Sequence, residues 1–368
     1  MNNNRLLLDD LFRREQSRLV RGSLFDSTPP TLPDDLDWGR VEGMMLGLAI
    51  GDALGNTTEG KLHNERQRLH GEIRDYLPNR YAAGGVPSDD TQLTFWTLEQ
   101  LLSDDGLDAG HLAERFCAQP IYGIGSAVKE FVSNYQSGMR PWHRCAAHSA
   151  GNGALMRIAP VLIPHLRSGS ASLWADTVLA AIVTHNDAAS TSACLAWVYM
   201  LWCLLGMSEP PDPLWWPETY VALARGLEGE GCLVPRGGAY QEYRGPLWRF
   251  VAEYVAPAYR QGLSVREAGD SWYSGAFLLE TVPSVLYILM CHGHDPEEAL
   301  VRAVNDTKDN DTIAAIVDSA VGALHGVNRL PARWLHGLTG RTAADDDGRI
   351  SGLLGQAREV FATLQRCQ

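Results

Sequence analysis

The sequence has little that encodes a strand. No succession of alternating Val/Ile/Thr runs occurs in its 368 residues, which argues against a sheet-based fold. CxxC pairs are absent as well. The seven cysteines (117, 145, 194, 203, 232, 291 and 367) are odd in number and scattered, the pattern of free thiols in a reducing cytoplasm. Basic charge is in deficit: 31 Lys+Arg against 44 Asp+Glu give a net charge of -13. Such a field repels a phosphate backbone, so nucleic acid is not an expected partner. The longest apolar run, Ala193 to Met207, falls short of the ~20 residues that cross a bilayer and reads as a buried core helix, so no membrane partner is expected. The first residues carry no export signal, because Asp9 and Asp10 follow directly on Leu6, Leu7 and Leu8. No fixed-period repeat is visible, which excludes a solenoid.

What the chain does have is helical periodicity from end to end. With 45% hydrophobic and 20% charged residues it can bury a sizeable core. Helices are expected over Trp38 to Ile50, Thr91 to Leu102, Ala188 to Leu205, Ala276 to Met290 and Thr312 to Leu324. A last helix would place Ile350, Leu353, Leu354, Ala357, Val360, Phe361 and Leu364 on one face. The expected fold is all-α, and the length allows one large domain or at most two or three small ones. Residues 1–37 stand apart. Residues 5 to 21 read as an amphipathic helix with Leu8, Leu11, Phe12 and Leu19 on one side and Arg13, Arg14, Arg18 and Arg21 around it, followed by the Pro-rich linker DSTPPTLPDDLD. Such an arm either packs on its own body or stays detachable.

Four segments carry candidate chemistry. GLAIGDALGNTTEG (47 to 60) is an apolar helix running into a Gly-rich turn that ends in Glu59. SDDT (88 to 91) and KDNDT (308 to 312) each open an apolar helix, and each alone is explained by N-capping. Capping does not explain why both place two carboxylates and a hydroxyl at a helix start. Asp89, Asp90, Asp309 and Asp311, if brought together in a poorly solvated site, would repel one another and require cations. Their all-oxygen character suits a hard divalent ion, Mg²⁺ with Mn²⁺ as a substitute, and four carboxylates match two such ions. HSAGNGALMR (148 to 157) is a Gly-rich turn entering a helix, a place where backbone N–H groups meet phosphate oxygens. His185, in THND, taken alone reads as a surface or capped-helix histidine rather than a functional one. CHGHD (291 to 295) has no companion pair at zinc-ligand spacing, so His292 and His294 read as a helix end and turn.

Taken in order, G-D-A-L-G-N-T-T-E, S-D-D-T, I-Y-G-I-G (121 to 125), S-A-G-N-G-A-L-M-R, T-H, F-L-L-E-T-V-P-S-V-L and D-N-D-T-I-A-A-I resemble the ADP-ribosylglycohydrolase family over about Val41 to Gly326. The resemblance implies a compact single-domain all-α bundle over residues 38–368, with a binuclear Mg²⁺ centre below an ADP-ribose cleft. It implies Ser88, Asp89, Asp90, Asp309, Asp311 and Thr312 as metal ligands, and Glu59 as a residue that approaches the metals and gates the cleft. It places Ser149, Gly151, Asn152, Gly153 and Met156 along the ribose and diphosphate, with Tyr122, Gly123 and His185 as further ligand contacts. The chain departs from the family at Thr307 and Lys308, where many relatives have Gly-Gly, and at Ala150, where some have an aromatic residue.

The implied reaction is hydrolysis of the bond between C1″ of the distal ribose and a protein side chain, arginine being favoured, with Asp309 or Glu59 as base or acid. The arm resembles the N-terminal extension of family members that act as immunity proteins against ADP-ribosyltransferase toxins. Three readings follow from the resemblance: a hydrolase of ADP-ribosylated protein, a stoichiometric inhibitor that blocks a toxin through residues 1–30, and a hydrolase of small ADP-ribose metabolites.

Overall fold

Gly43, Gly47, Gly51 and Gly55 recur at every fourth position and therefore share one helix face. In the computed structural model, which describes residues 3–79, 84–138, 141–342 and 348–362, the helix carrying them runs unbroken from Trp38 to Asn56. The stretch expected to leave the helix as a Gly-rich turn is therefore a packing face, and the turn begins only after Asn56. The helix Asn310–His325 lies directly on that face. A Cβ at Gly47, Gly51 or Gly55 would press on the backbone of Asp318, Ala314 or Asp311 more closely than real Cβ atoms pack. Hydrogen alone at these positions lets the two backbones approach, and this contact forms the centre of the molecule.

Among the described residues the helices are α1 (Asn3–Arg13), α2 (Trp38–Asn56), α3 (His63–His70), α4 (Asp89–Ser103), α5 (Ala109–Cys117), α6 (Ser126–Gln136), α7 (Ser172–Ile182), α8 (Ala188–Gly206), α9 (Trp215–Glu228), α10 (Leu247–Arg260), α11 (Val265–Trp272), α12 (Leu278–His292), α13 (Pro296–Asp306), α14 (Asn310–His325), α15 (Ala332–Gly337) and α16 (Arg349–Ala362). No strand occurs among them, only isolated bridges, and the fold is the all-α one the periodicity predicts. The apolar α8 is almost wholly buried, against α7, α9 and α14. In α16 the expected stripe buries Ile350, Leu353, Leu354, Ala357 and Phe361, but Val360, at the border of the stripe, is 36% exposed. Leu364 and Cys367 lie outside the described residues.

The N-terminal segment is docked. Its helix stops at Arg13 rather than continuing to residue 21, and Glu15 turns the chain with a left-handed φ of 55°. Leu8, Leu11, Leu19 and Phe25 are buried, with α1 lying against α7. Polar contacts complete the fit. Asn4 donates to Asp176 at 2.7 Å, the Trp174 indole to the Ser27 carbonyl at 2.8 Å and the Trp202 indole to the Pro30 carbonyl at 2.7 Å. Of the two states open to the arm, the packed one is observed.

Candidate active site

Ordinary caps in this protein are easily recognised: Asp108, Asp187 and Asp295, and Ser264, each accept backbone N–H bonds from the helix they start. Ser88 and Asp309 hold the same N-cap position on α4 and α14, and neither caps with its side chain. Both are turned to other work. At α4 the capping is done from outside by Asp52 near the end of α2. It accepts the Ser88 N–H (2.8 Å) and hydroxyl (2.8 Å) and the Thr91 N–H (3.0 Å) and hydroxyl (2.6 Å). With its oxygens so engaged, Asp52 fixes the Ser88–Thr91 turn and frees Asp89 and Asp90 to face inward. At α14, Asp309 accepts a 2.6 Å bond from the Asn152 amide, which also donates to Thr281.

The close contact of α2 and α14 delivers Asp311 to the same place. Asp90 and Asp311 are 2% and 3% exposed, and together with Asp52 they present carboxylate oxygens within 4.8 Å of one another. Thr312 donates its hydroxyl toward Asp90 at 3.4 Å. One oxygen of Asp90 is buried with no hydrogen-bond partner. Burial, then the neighbouring carboxylates, holds the pKa values of Asp89, Asp90 and Asp311 well above the ordinary range, and the Arg66 charge, which reaches Asp311, does not offset this. Burial likewise pushes Asp309 up to about 6, although Asn152 and Arg236 pull the other way. Buried carboxylates with an orphaned oxygen, and no ion pair to Asp89, Asp90 or Asp311 among the described residues, are a donor set that fits a hard divalent cation. Asp89, Asp90, Asp309 and Asp311 would hold it, with the hydroxyls of Ser88 and Thr312 beside them.

Above these carboxylates opens a cleft of about 220 Å³ whose lining includes Glu59, Gly123, Ser149, Gly151, Asn152, Gly153, Met156 and His185. The loop through Ser149 is pinned on both sides by backbone pairs. Ala147 N–H bonds the Thr184 carbonyl at 3.0 Å, and Leu278 N–H bonds the Ala150 carbonyl at 2.9 Å. Glu59 stands exposed on the rim, its pKa raised by desolvation against the cleft wall and by Asp52. His185 is 1% exposed, a cleft residue rather than a surface one. Burial and then the nearby Arg157 charge depress its pKa to about 3, so it is neutral. Two expected residues sit off the lining. Ser88 lies beneath it, tied to Asp52. Tyr122 has its N–H bound by Gln92 at 2.9 Å and its ring covered by the Arg341 guanidinium at 4.1 Å.

The structure adds residues that motif reading did not supply. Asp52 lies within G-D-A-L-G-N-T-T-E, but only the fold shows that it braces α4. Gly125, Ser126 and Val128, at the start of α6, line the cleft and bring a helix N-terminus to it. Arg236 also lines it and forms a two-point ion pair at 2.9 and 2.7 Å with Glu280, which is 0% exposed. Nothing around Arg236 in the sequence signals that pairing across 44 residues.

A helical fold with a buried, oxygen-only donor set under a glycine-rimmed cleft defines a class of protein that could hold a cation beside a bound ligand. Residues 33–365 match the family described as ADP-ribosylglycohydrolase. The chain is 25% identical over 316 residues to the ADP-ribosylarginine hydrolase Tri1 of Pseudomonas putida, covering 83% of this chain and 76% of that one. To the ADP-ribosyl-[dinitrogen reductase] glycohydrolase of Rhodospirillum rubrum it is 24% identical over 324 residues, 86% and 96% of the two chains. A solved structure described as an ADP-ribosylglycohydrolase-related protein complex matches with a TM-score of 0.62 at 25% identity, over 88% of this chain and 98% of that one. The chain belongs to the ADP-ribosylglycohydrolase family.

Proposed function

We propose that this protein is a Mg²⁺-dependent hydrolase, with Mn²⁺ able to substitute, that removes mono-ADP-ribose from arginine side chains of modified proteins in the cytoplasm. One observation carries the reading: two helix starts converge four acidic side chains under a glycine-rich rim, and among the described residues none of Asp89, Asp90 and Asp311 has an ion-pair partner within 4.0 Å to offset their mutual repulsion. Relatives named for ADP-ribosylarginine and dinitrogen reductase hydrolysis support the choice of substrate. Two bound Mg²⁺ ions would supply positive charge beside the reacting ribose and lower the pKa of a water. The chain's own residues do the rest. The start of α6 suits the diphosphate, and the absence of a Cβ at Gly151 and Gly153 leaves it room to approach. His185, neutral and buried, offers a ring nitrogen to a ligand oxygen. Asp309 and Glu59 flank the position of the anomeric carbon and act as base and acid as the bond to the side chain breaks.

The test is release of ADP-ribose from arginine-modified and from serine-modified protein, with Mg²⁺ and with chelator. Metal-dependent release from the arginine conjugate is expected, and Asp309→Ala should lower it at least about 10³-fold while leaving the far-ultraviolet circular dichroism unchanged. Activity surviving in that variant at saturating Mg²⁺ would defeat the assignment of the site.

We extend the proposal to immunity: such a hydrolase reverses the action of an ADP-ribosyltransferase toxin. A second, stoichiometric route would have residues 1–30 block the toxin's active site. It is favoured by the exposure of Arg13, Arg14, Arg18 and Arg21 along the arm, since a site that accepts arginine suits a guanidinium. With Leu8 and Leu11 docked, these arginines would be presented from a fixed platform. Equal toxin affinity for the full chain and for one lacking residues 1–30 would rule this route out. Activity confined to free O-acetyl-ADP-ribose would instead select the small-metabolite reading.

A further inference from the structure

A second recess, of about 420 Å³, opens beside the cleft and shares with it only Glu59, Arg236, Ala276 and Asp309. Lys61, Tyr273 and Lys308 are among the residues that close it. The glycine rim and the start of α6 belong to the cleft alone. A ligand whose diphosphate follows that rim, and whose reacting ribose lies over the carboxylates, therefore sends its leaving group past Glu59 and Asp309 into the second recess.

Three cations line the recess, and Lys308 is the one without an ion pair among the described residues. The Lys308 ammonium lies 3.5 Å from the centre of the Tyr273 ring, a stabilising face-on contact. It has no carboxylate within 4.0 Å among the described residues, whereas the Arg236 charge is already met by Glu280 and Lys61 stands 4.0 Å from Glu65. Tyr273 is placed there at a conformational cost. It and Ser274 adopt left-handed φ values of 79° and 39°, unusual for residues other than glycine. The same turn is fastened to the acidic segment, since the Ser274 carbonyl accepts the N–H groups of both Lys308 and Asp309 at 3.0 Å. The turn thus sets an aromatic ring under an ammonium that feels Asp270 and Glu280 only from beyond ion-pair distance, one residue from Asp309.

We propose that this recess is the leaving-group subsite and that it recognises a carboxylate on the acceptor side of the scissile bond, through Lys308. The inference rests on the ADP-ribosyl hydrolase reading. It specifies the substrate as a modified side chain with an acidic group next to it, because a bare guanidinium beside an ammonium is repelled and a neighbouring carboxylate offsets this. The carboxylate could belong to a flanking Asp or Glu of a protein or to the α-carboxylate of a free ADP-ribosylated amino acid.

The experiment measures kcat/KM, with Mg²⁺, on synthetic peptides carrying one ADP-ribosylated arginine between Asp/Glu, Ala/Gln or Lys neighbours, and on free ADP-ribosyl-arginine and its α-amide. The wild-type enzyme is expected to prefer acidic over neutral flanks about tenfold, chiefly in KM. Within each variant the acidic-to-neutral ratio should fall to near one in Lys308→Gln and invert in Lys308→Glu, which prefers Lys flanks. A ratio that depends on Lys308 only for the free amino acid against its amide assigns the subsite to that carboxylate. Hydrolysis of all substrates with ratios unaffected by Lys308→Glu overturns the subsite while leaving the hydrolase reading intact. Absence of metal-dependent hydrolysis in the wild type overturns both.

Discussion

His185 shows how far a single residue depends on its neighbours. The buried Arg157 guanidinium, covering the Phe116 ring at 4.7 Å, donates to the Thr184 hydroxyl at 2.7 Å. That leaves the threonine hydrogen for His185 Nδ1, 2.9 Å away. Nδ1 is then an acceptor and the ring proton sits on Nε2, on the edge of the ring that faces Gly151 and Gly153. The neutral imidazole thus faces the cleft as a donor. Thr184→Val should raise KM for the ADP-ribosyl substrate about fivefold with little change in kcat, and Thr184→Ser should restore it, since one hydrogen bond is worth about 1 kcal/mol. Steady-state kinetics on the two variants checks this, and equal behaviour would count against the relay. None of this was legible in T-H-N-D. The motif marks the histidine, but the arginine that sets its proton lies 28 residues earlier in sequence.

At the scale of elements, the α2 and α14 contact is what makes the site. Because the backbones touch, Asp52 near the end of one helix reaches the start of α4, and Asp311 in the first turn of the other reaches Asp90. Gly51→Ala should cost about 3 kcal/mol or more, the upper range for overpacking a tight core, read as a lowered denaturation midpoint. The Gly55→Ala change should also reduce metal affinity in calorimetric titration, since it presses on Asp311 itself. A second element junction carries a pH signature. Glu228, at the end of α9 and 3% exposed, accepts the N–H groups of Leu247 and Trp248 at 2.6 and 3.0 Å. Burial nevertheless raises its pKa from 4.5 to about 7. An acid whose folded pKa is raised is protonated in both states at low pH and costs nothing there. As pH climbs from about 4.5 to 7 the unfolded chain gives up its proton more readily, and stability falls. The melting temperature of Glu228→Gln relative to wild type should therefore rise between pH 5 and pH 8.

At the scale of the whole molecule, the acidic centre makes stability and metal binding two faces of one property. The raised pKa values of Asp89, Asp90 and Asp311 mean that, without a cation, the folded state loses stability as pH rises above the ordinary carboxylate range. In chelator the melting temperature should be lower at pH 8 than at pH 5.5, and added Mg²⁺ should raise it more at pH 8, where the carboxylates are free to bind. Asp90→Asn with Asp311→Asn should melt higher than wild type in chelator and show no response to Mg²⁺. The arm belongs to this scale too. Removing residues 1–30 uncovers the surface that Leu8, Leu11, Leu19 and Phe25 bury, and a drop of at least about 5 °C in Tm is expected, several buried side chains being lost together.

The sequence by itself determined the helical fold, the core stripes and the identity of the acidic segments, because periodicity and helix-start chemistry are local and written in consecutive residues. It also marked residues 1–37 as different in composition. Only the tertiary structure decided that α2 continues through its glycines, that the arm is docked, that Ser88 and Asp309 do not cap with their side chains, and that Asp52, Arg157 and Arg236 support the site. Each of these depends on what lies opposite a residue in space. Gly51 is a helix breaker or a contact point according to whether Ala314 is there to meet it, and Asp309 is a cap or a cleft acid according to where Asn152 stands.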